Sequence, residues 1–353
     1  MLTRLFHDWE RRLADVSKDR VVRPFDWGTD WLPAGTANLP PRERVAAWVE
    51  GVMADSPAFF ALGPTPTFCY AARRQDDQSF GEAGTVTFRS VLETPYEANN
   101  TVMARWFPSS DEAARGAKTG TRGRAVVVLS QWNADGGGHI GLSKLLARCG
   151  VSALRLSLPY HDVRMPPELT RADYIVSSNV TRTVQACRQA VLDARGAVAW
   201  LASQGFTRIG ILGTSLGSCL SLLTSAHEPL IKAQALNHVS PWFADVVWRG
   251  LSTRHVRQGL DGHIDLDTLR DIWRPISPFS YLDRVAGTRS LLVYAKYDLT
   301  FPVDLSEILV TEFARRRLPH EVAVLPCGHY STGMAPFKFL DAYILINFLR
   351  RAL

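Results

Sequence analysis

Six short runs built almost wholly from apolar residues recur along the later two-thirds of the chain: AVVVLS, VSALRLSLP, RIGILG, IKAQALNHVS, SLLVYAK and EVAVLP. Helical patterns separate them. HIGLSKLLARCG closes on a glycine, and a long helical region covers roughly 171–204. A small-residue helix runs from Ser215 to Ala226, and VDLSEILVTEFARRR and FKFLDAYILINFLRR follow later. A strand with no polar face needs cover on both sides, and helices between successive strands supply it. The pattern therefore predicts an α/β fold with a mostly parallel sheet and helices on both faces.

The segments before these runs read differently. TVTFRSVLETP and NNTVMARWFP alternate apolar and polar residues, as half-buried antiparallel strands do, and SSDEAARGAKTGTRGR is a polar loop. Residues 1–81 are expected to form a helical N-terminal extension. An amphipathic helix spans about 2–18, and the Trp- and Pro-rich FDWGTDWLPAGTANLPP follows. PPRE then opens a second helix, RERVAAWVEGVMA, and GPTPTFCY reads as irregular. No chemistry is assigned to this stretch. Residues 82–353 form the main domain, interrupted over about 240–288 by a Trp-, His- and Arg-rich segment expected to be an inserted helical cap. A chain of 353 residues, 46% hydrophobic, is long enough for one such domain with an appendage.

The net charge of +6 is spread thinly, and its basic residues form no nucleic-acid footprint. FLDAYILINFL is too short for a bilayer, which needs about 20 residues, and the charged N-terminal stretch is not expected to act as a signal peptide. Five cysteines (Cys69, Cys149, Cys187, Cys219, Cys327) include no CxxC pair, and a reducing, cytoplasmic location is expected.

The run RIGILG ends in Gly213-Thr214-Ser215-Leu216-Gly217 and passes directly into a helix. A strand entering a helix through so tight a turn forces its central residue into a sparsely allowed backbone conformation. Glycines two positions before and after remove the side chains that would collide. The hydroxyl of Ser215 then stands clear of the sheet edge, beside the N–H groups of a helix start. The alternative is a plain strand-to-helix turn that happens to hold a serine.

A serine hydroxyl needs a base, and the base needs an orienting acid. The order Ser, acid, His predicts a carboxylate after one later strand and a histidine after the next. LLVYAKYDLTFP places Asp298 there, and AVLPCGHYSTG places His329. Alone, Asp298 is equally a turn residue and His329 an ordinary loop histidine. Asp304 is the substitute acid. Asp283 and His320 precede their strands and belong to the wrong edge.

GGGHIG, Gly136 to Gly141, fits the GxGxxG dinucleotide fingerprint. Five residues separate it from the preceding strand, and Asp162 lies past the end of the next strand instead of closing it. A loop at the pocket mouth is the preferred reading, with no cofactor. In SLPYHDVRMP, the residues Tyr160, His161, Asp162 and Arg164 either reach the pocket or hold their own loop. His238, in LNHVSPW, ends a strand facing the pocket or the cap. Trp242, Phe243, Trp248 and Trp273 either line an apolar pocket or pack in the core; Tyr160, His161, His238 and Trp242 are the expected substrate contacts. His139, His161, His238 and His329 sit on separate loops without metal-site spacing, so no metal is expected.

GTSLG, KYDLTFP and PCGHYSTG together resemble the α/β-hydrolase superfamily. QWNADGGGHIGLSKLLARCGVSALRLSLPYHDVRMP, read with them, is similar to the branch around abhydrolase-domain-containing protein 18 and its bacterial relatives. The resemblance covers about residues 84–353. It implies an eight-stranded, mostly parallel sheet whose second strand is antiparallel, a cap over the site, and no cofactor. Ser215, Asp298 and His329 match the triad positions one by one. The backbone N–H of Leu216 is one oxyanion donor. The second falls to Trp132, with Gln131 next, because Ser130-Gln131 stands where many such enzymes have His-Gly. The expected activity is hydrolysis of a small-molecule carboxylic ester through an acyl-enzyme. The alternatives are acyl transfer, amide or thioester cleavage, a dinucleotide-dependent oxidoreductase, and a non-catalytic binding protein. An oligomer formed through the extension or the cap is compatible with the sequence.

Overall fold

The computed structural model describes residues 2–33, 38–73, 81–110 and 122–353. Most of the expected polar loop SSDEAARGAKTGTRGR lies outside them. Among the described residues nine strands form one sheet: β1 Cys69–Ala72, β2 Gly84–Arg89, β3 Thr101–Phe107, β4 Arg122–Leu129, β5 Val151–Leu156, β6 Phe206–Thr214, β7 Ile231–Asn237, β8 Arg289–Ala295 and β9 His320–Leu325. Their spatial order is β1-β2-β3-β5-β4-β6-β7-β8-β9. Pairing from β5 across to β9 is parallel, whereas β1–β2, β2–β3 and β3–β5 are antiparallel.

The strands β2 to β9 correspond to the eight expected, with β3 as the antiparallel second strand. The sheet has one more. Cys69–Ala72, which begins in the last two residues of the segment read as irregular, pairs with Gly84–Thr87 and ties the N-terminal stretch to the sheet edge. Gly84 permits the approach, because a Cβ there would lie 2.4 Å from the Ala71 carbonyl oxygen. All four β1 residues are exposed, so the strand has no hydrophobic pattern by which to find it.

The longer helices are α1 Leu2–Ala14, α2 Pro41–Ala54, α3 Ile140–Arg148, α4 Val180–Ser203, α5 Leu216–His227, α6 Phe243–Arg249, α7 Arg254–Leu260, α8 Leu266–Ile272, α9 Val303–Arg315 and α10 Phe337–Ala352. The helix expected from about 171 starts at Val180, where Asn179 caps it by accepting from the Arg182 N–H. Period-two alternation divides the central strands between two cores. Ala125, Val127 and Leu129 of β4 pack with α4 and α5, and Val126 and Val128 pack with α3 and α10. Burying each such valine contributes on the order of 1.5–3 kcal/mol relative to leaving it in water.

The segment between β7 and β8 carries α6, α7 and α8 with several 3-10 turns. It is anchored on the core by Trp273, whose indole N–H donates to the Val180 carbonyl at 3.0 Å. The sheet therefore delivers the ends of β4, β6, β7, β8 and β9 to one edge, beneath these helices.

Candidate active site

Ser215 sits between β6 and α5 with φ 57° and ψ −119°, a conformation L-residues rarely adopt. The surrounding glycines are required by space. A Cβ on Gly213 would lie 2.0 Å from the Gly217 carbonyl oxygen, and one on Gly217 would lie 2.4 Å from the Leu129 oxygen. The Ser215 N–H donates to Asn237 at the end of β7 (2.8 Å), which fixes the turn to its neighbouring strand.

Asp298 follows β8. Its Oδ1 accepts from the Thr300 N–H (2.7 Å) and the Phe301 N–H (2.8 Å), leaving Oδ2 to face the site. His329 follows β9, and the two loops are laced together by Lys296 N–H to Leu325 (2.9 Å) and Tyr297 N–H to Cys327 (3.0 Å). The Phe301 ring stacks parallel to His329 at 5.4 Å. His329 Nδ1 lies 2.9 Å from Asp298 Oδ2, and its Nε2 lies 3.1 Å from Ser215 Oγ. Facing a carboxylate, Nδ1 carries the proton, so the neutral ring presents Nε2 as acceptor to the hydroxyl.

Burial disfavours the His329 imidazolium, but the charge and hydrogen bond of Asp298, with a contribution from Glu10, outweigh it and raise the imidazole above its usual value. Burial alone would push the Asp298 carboxyl up; the two imidazoles beside it hold it far below the usual carboxylate range. The second imidazole is His238, whose Nδ1 also lies 2.9 Å from Asp298 Oδ2. Burial and the neighbouring His329 lower the His238 value.

The structure does not bring Asp304 to His329. It is exposed and forms a bidentate pair with Arg249 at 2.8 and 2.9 Å. Asp283 pairs with Arg316, and His320 bonds the Leu318 carbonyl.

Leu216 is the first residue of α5, so its N–H has no intrahelical acceptor. Across from it, residues 131–134 form a turn closed by Ala134 N–H to Gln131 (3.2 Å). Among the described residues neither the Gln131 nor the Trp132 N–H has a protein acceptor. The turn is pinned from behind. Asn133 N–H donates to His161 Nε2 (3.0 Å), Asn133 Oδ1 accepts from Ala172 N–H (2.8 Å), and Trp132 Nε1 donates to the Ala172 carbonyl (2.9 Å).

A cavity of about 670 Å³ opens over Ser215 and His329, with Leu216, Gln131, Trp132 and His238 in its walls. Val176, Phe243, Val246, Val247 and Phe301 give it an apolar side. His139, Thr214, Asn237 and Asp341 add a polar group to its lining, next to the apolar Leu142 and Phe339. There burial pushes the Asp341 carboxyl up to about 7, although Asn237 Nδ2 donates to it at 2.9 Å. Burial lowers His139 to about 4, and its Nε2 lies 2.9 Å from Thr214 Oγ1.

Tyr160, His161 and Trp242 are not among the residues lining the cavity. A positive φ of 64° turns Tyr160 back into an aromatic cluster with Tyr96 and Tyr174. His161 is buried, bonded to Pro159 through Nδ1 and to Asn133 through Nε2, so it supports the 131–134 turn from outside the cavity. Trp242 packs on Phe279. Asp162 is paired with Arg155, and fully buried Arg164 with Asp193 at 2.8 Å, so neither reaches the cavity. Phe243 is the one member of the expected aromatic set that lines the cavity; Trp273 is core and Trp248 packs under Arg257.

The glycine loop contributes His139 and Gly141 to the cavity. Its carbonyls are held by arginines: Gly136 by Arg105 (2.8 Å), Asp135 and Gly138 by Arg155 (2.7 and 3.1 Å). Among the described residues, His238, Asp298 and His329 are the group whose potential metal-ligand atoms lie within 4.8 Å of one another. Those atoms are already joined by hydrogen bonds. No helix among the described residues is long and apolar enough to cross a membrane.

Two elements of the site escaped the sequence reading. His238 is placed by position but its bond to Asp298 has no sequence signal. Glu10 of α1 accepts from the backbone next to His329, and nothing in its local sequence marks it.

No protein-family model matches the chain. No curated protein sequence matches it. Solved structures do. An acylaminoacyl peptidase from Pyrococcus horikoshii aligns at 14% identity and TM-score 0.60 over 82% of this chain, which spans only 42% of the peptidase. Acetyl xylan esterase 1 from Thermoanaerobacterium sp. JW/SL YS485 aligns at 12% identity and TM-score 0.60, covering 96% of this chain and 98% of the esterase. An acetyl xylan esterase from Paenibacillus sp. R4 gives 13% identity and TM-score 0.61, covering 94% and 100%. At such identities the likeness concerns architecture. The chain has the α/β-hydrolase fold over most of its length.

Proposed function

We propose that the chain is a serine hydrolase that cleaves a small-molecule carboxylic ester through an acyl-enzyme. The observation that carries this reading is His329 itself, with one ring nitrogen on Asp298 and the other on Ser215. In this account Ser215 Oγ attacks the acyl carbon as His329 Nε2 takes its proton. Asp298 holds the ring and stabilises the imidazolium. The N–H groups of Leu216 and of Trp132 or Gln131 receive the oxyanion. His329 returns the proton to the leaving alcohol, then activates water to release the acid.

The apolar wall around Phe243 and Val246 suits an acyl or aryl group. The structural likeness to two acetyl xylan esterases favours an ester, and that to an acylaminoacyl peptidase keeps an amide as the second reading. The same triad can deliver the acyl group to an acceptor other than water. A dinucleotide reading is disfavoured because the N–H groups a phosphate would need are already donating within the loop, Gly137 to Asp135 Oδ1, Gly138 to the Asp135 carbonyl and Ile140 to the Gly137 carbonyl. Kinship with the abhydrolase-domain-containing protein 18 branch belongs to the same proposal. So do the division at about residue 81, the cap role of 240–288 and a cytoplasmic location, the last supported by five free cysteines.

The test is a panel of p-nitrophenyl esters of increasing chain length beside matching anilides, with alcohols added as competing acceptors. Ester turnover that vanishes in Ser215→Ala supports the reading. Turnover of anilides alone overturns the ester assignment, and no turnover of either by a folded protein overturns the hydrolase.

A further inference from the structure

Glu10 belongs to the first helix, yet its side chain is fully buried, and among the described residues it has no cationic partner. Taking a carboxylate out of water is costly unless hydrogen bonds replace the lost solvent. Three do. Oε2 accepts from the Tyr330 N–H at 2.8 Å, and Oε1 accepts from the Ser331 N–H at 2.9 Å and the Ser331 hydroxyl at 2.7 Å. All three donors lie within two residues of His329. The fit is close on the other side as well, since a Cβ on Gly328 would lie 2.3 Å from the Glu10 carboxyl carbon.

α1 grips the neighbouring loop too. Phe6, one turn before Glu10, stacks on Tyr297 at 4.4 Å and 7°, and Tyr297 immediately precedes Asp298. Beyond the helix, Arg20 Nη2 reaches the Ala14 carbonyl (2.7 Å) and the Tyr330 hydroxyl (3.3 Å). One helix thus contacts both loops that carry the imidazole and its acid.

We propose that Glu10 is a positioning residue for His329: it fixes the 328–331 loop so that the imidazole bridges Asp298 and Ser215, and it adds a second negative charge beside the imidazolium formed during catalysis. The proposal rests on the hydrolase reading for its catalytic consequence and on the hydrogen bonds for its geometry. The other titratable or charged groups facing this part of the fold are Asp298 and His238 from the ends of β8 and β7, Cys327 and Tyr330 of the same loop, Asp341 of α10, and Arg20. Of these, Asp298 joins Glu10 in supplying the negative charge that favours the His329 cation.

The variant is Glu10→Gln, which keeps shape, removes the charge and turns one acceptor into a donor facing the Tyr330 N–H. The expected result is a folded protein with kcat lower by about 10–100-fold. KM should stay within about threefold, because Glu10 acts on the base and not on bound substrate. The acidic limb of kcat/KM should move down by about 0.3–1 pH unit. Glu10→Asp, retaining charge at a shorter reach, should restore part of that limb but less of kcat. A folded Glu10→Gln protein with wild-type kcat and acidic limb overturns the proposal.

If Glu10→Gln does not fold, Ser331→Ala removes only the hydroxyl donor, and a wild-type kcat in that variant overturns the proposal equally. An NMR titration of the His329 ring reads the same downward shift without turnover. An unshifted ring in Glu10→Gln therefore sinks this inference even if the chain proves to be no hydrolase, whereas absent wild-type turnover sinks the function alone.

Discussion

His238 and His329 reach the same oxygen: both Nδ1 atoms lie 2.9 Å from Asp298 Oδ2, with the two rings 4.5 Å apart. The carboxylate is thereby fully occupied, its other oxygen held by two backbone N–H groups. His238 fixes the direction of Oδ2 and makes no hydrogen bond to Ser215. His238→Phe keeps the volume and removes the donor. Steady-state kinetics should show kcat lower by about tenfold, since a hydrogen bond to a charged group is worth about 1.5 kcal/mol.

Asp298 and Asp304 separate cleanly. Asp298→Asn should lower kcat by about four orders of magnitude, because an amide no longer stabilises the Nδ1–H tautomer. Asp304→Asn breaks a half-exposed surface pair with Arg249 and should leave kcat within about twofold. Parallel kinetic measurements on the two variants check this.

The pH profile has a defined sign. The base must be neutral to accept the Ser215 proton, and Asp298 with Glu10 raises the His329 value against the opposing effect of burial. Activity should therefore be low in acid and rise through an apparent pKa above the ordinary imidazole value of about 6.5. Asp298, held far below the usual carboxylate range, stays ionised throughout that window. A kcat/KM profile between pH 5 and 9 reads the limb directly.

Gly217 is bound by space and not by backbone angle. A Cβ there would meet the carbonyl oxygens of Leu129 and Ser130 at 2.4 and 2.6 Å, neither of which can swing aside. Gly217→Ala should destabilise the fold by about 3 kcal/mol, the upper part of the usual overpacking range, and displace the 130–132 turn. Thermal melts and activity per folded molecule measure the two effects.

The parts of this molecule legible in sequence are those fixed by neighbours along the chain. The β6–Ser215–α5 turn, the strand-end placement of Asp298 and His329, and the parallel strands all rest on local pattern. What was hidden depends on contacts between distant segments. Glu10 meets Tyr330 across 320 residues, and as one acidic residue in a charged helix it has no distinguishing pattern. β1 has no buried residue to betray it. Tyr160 and His161 follow a strand at the active edge, as expected, but a positive φ at Tyr160 and the Asn133 contact of His161 turn them away from the cavity. Trp242 was as compatible with packing as with a pocket, and contact with Phe279 decided it.

The most direct measurement is labelling by a fluorophosphonate, read by intact mass and peptide mapping. One adduct on Ser215, formed at neutral pH, slowed as His329 protonates and absent from a folded Ser215→Ala protein, is the predicted result. A folded wild-type protein that takes no label, or a label that persists in Ser215→Ala, would contradict the account.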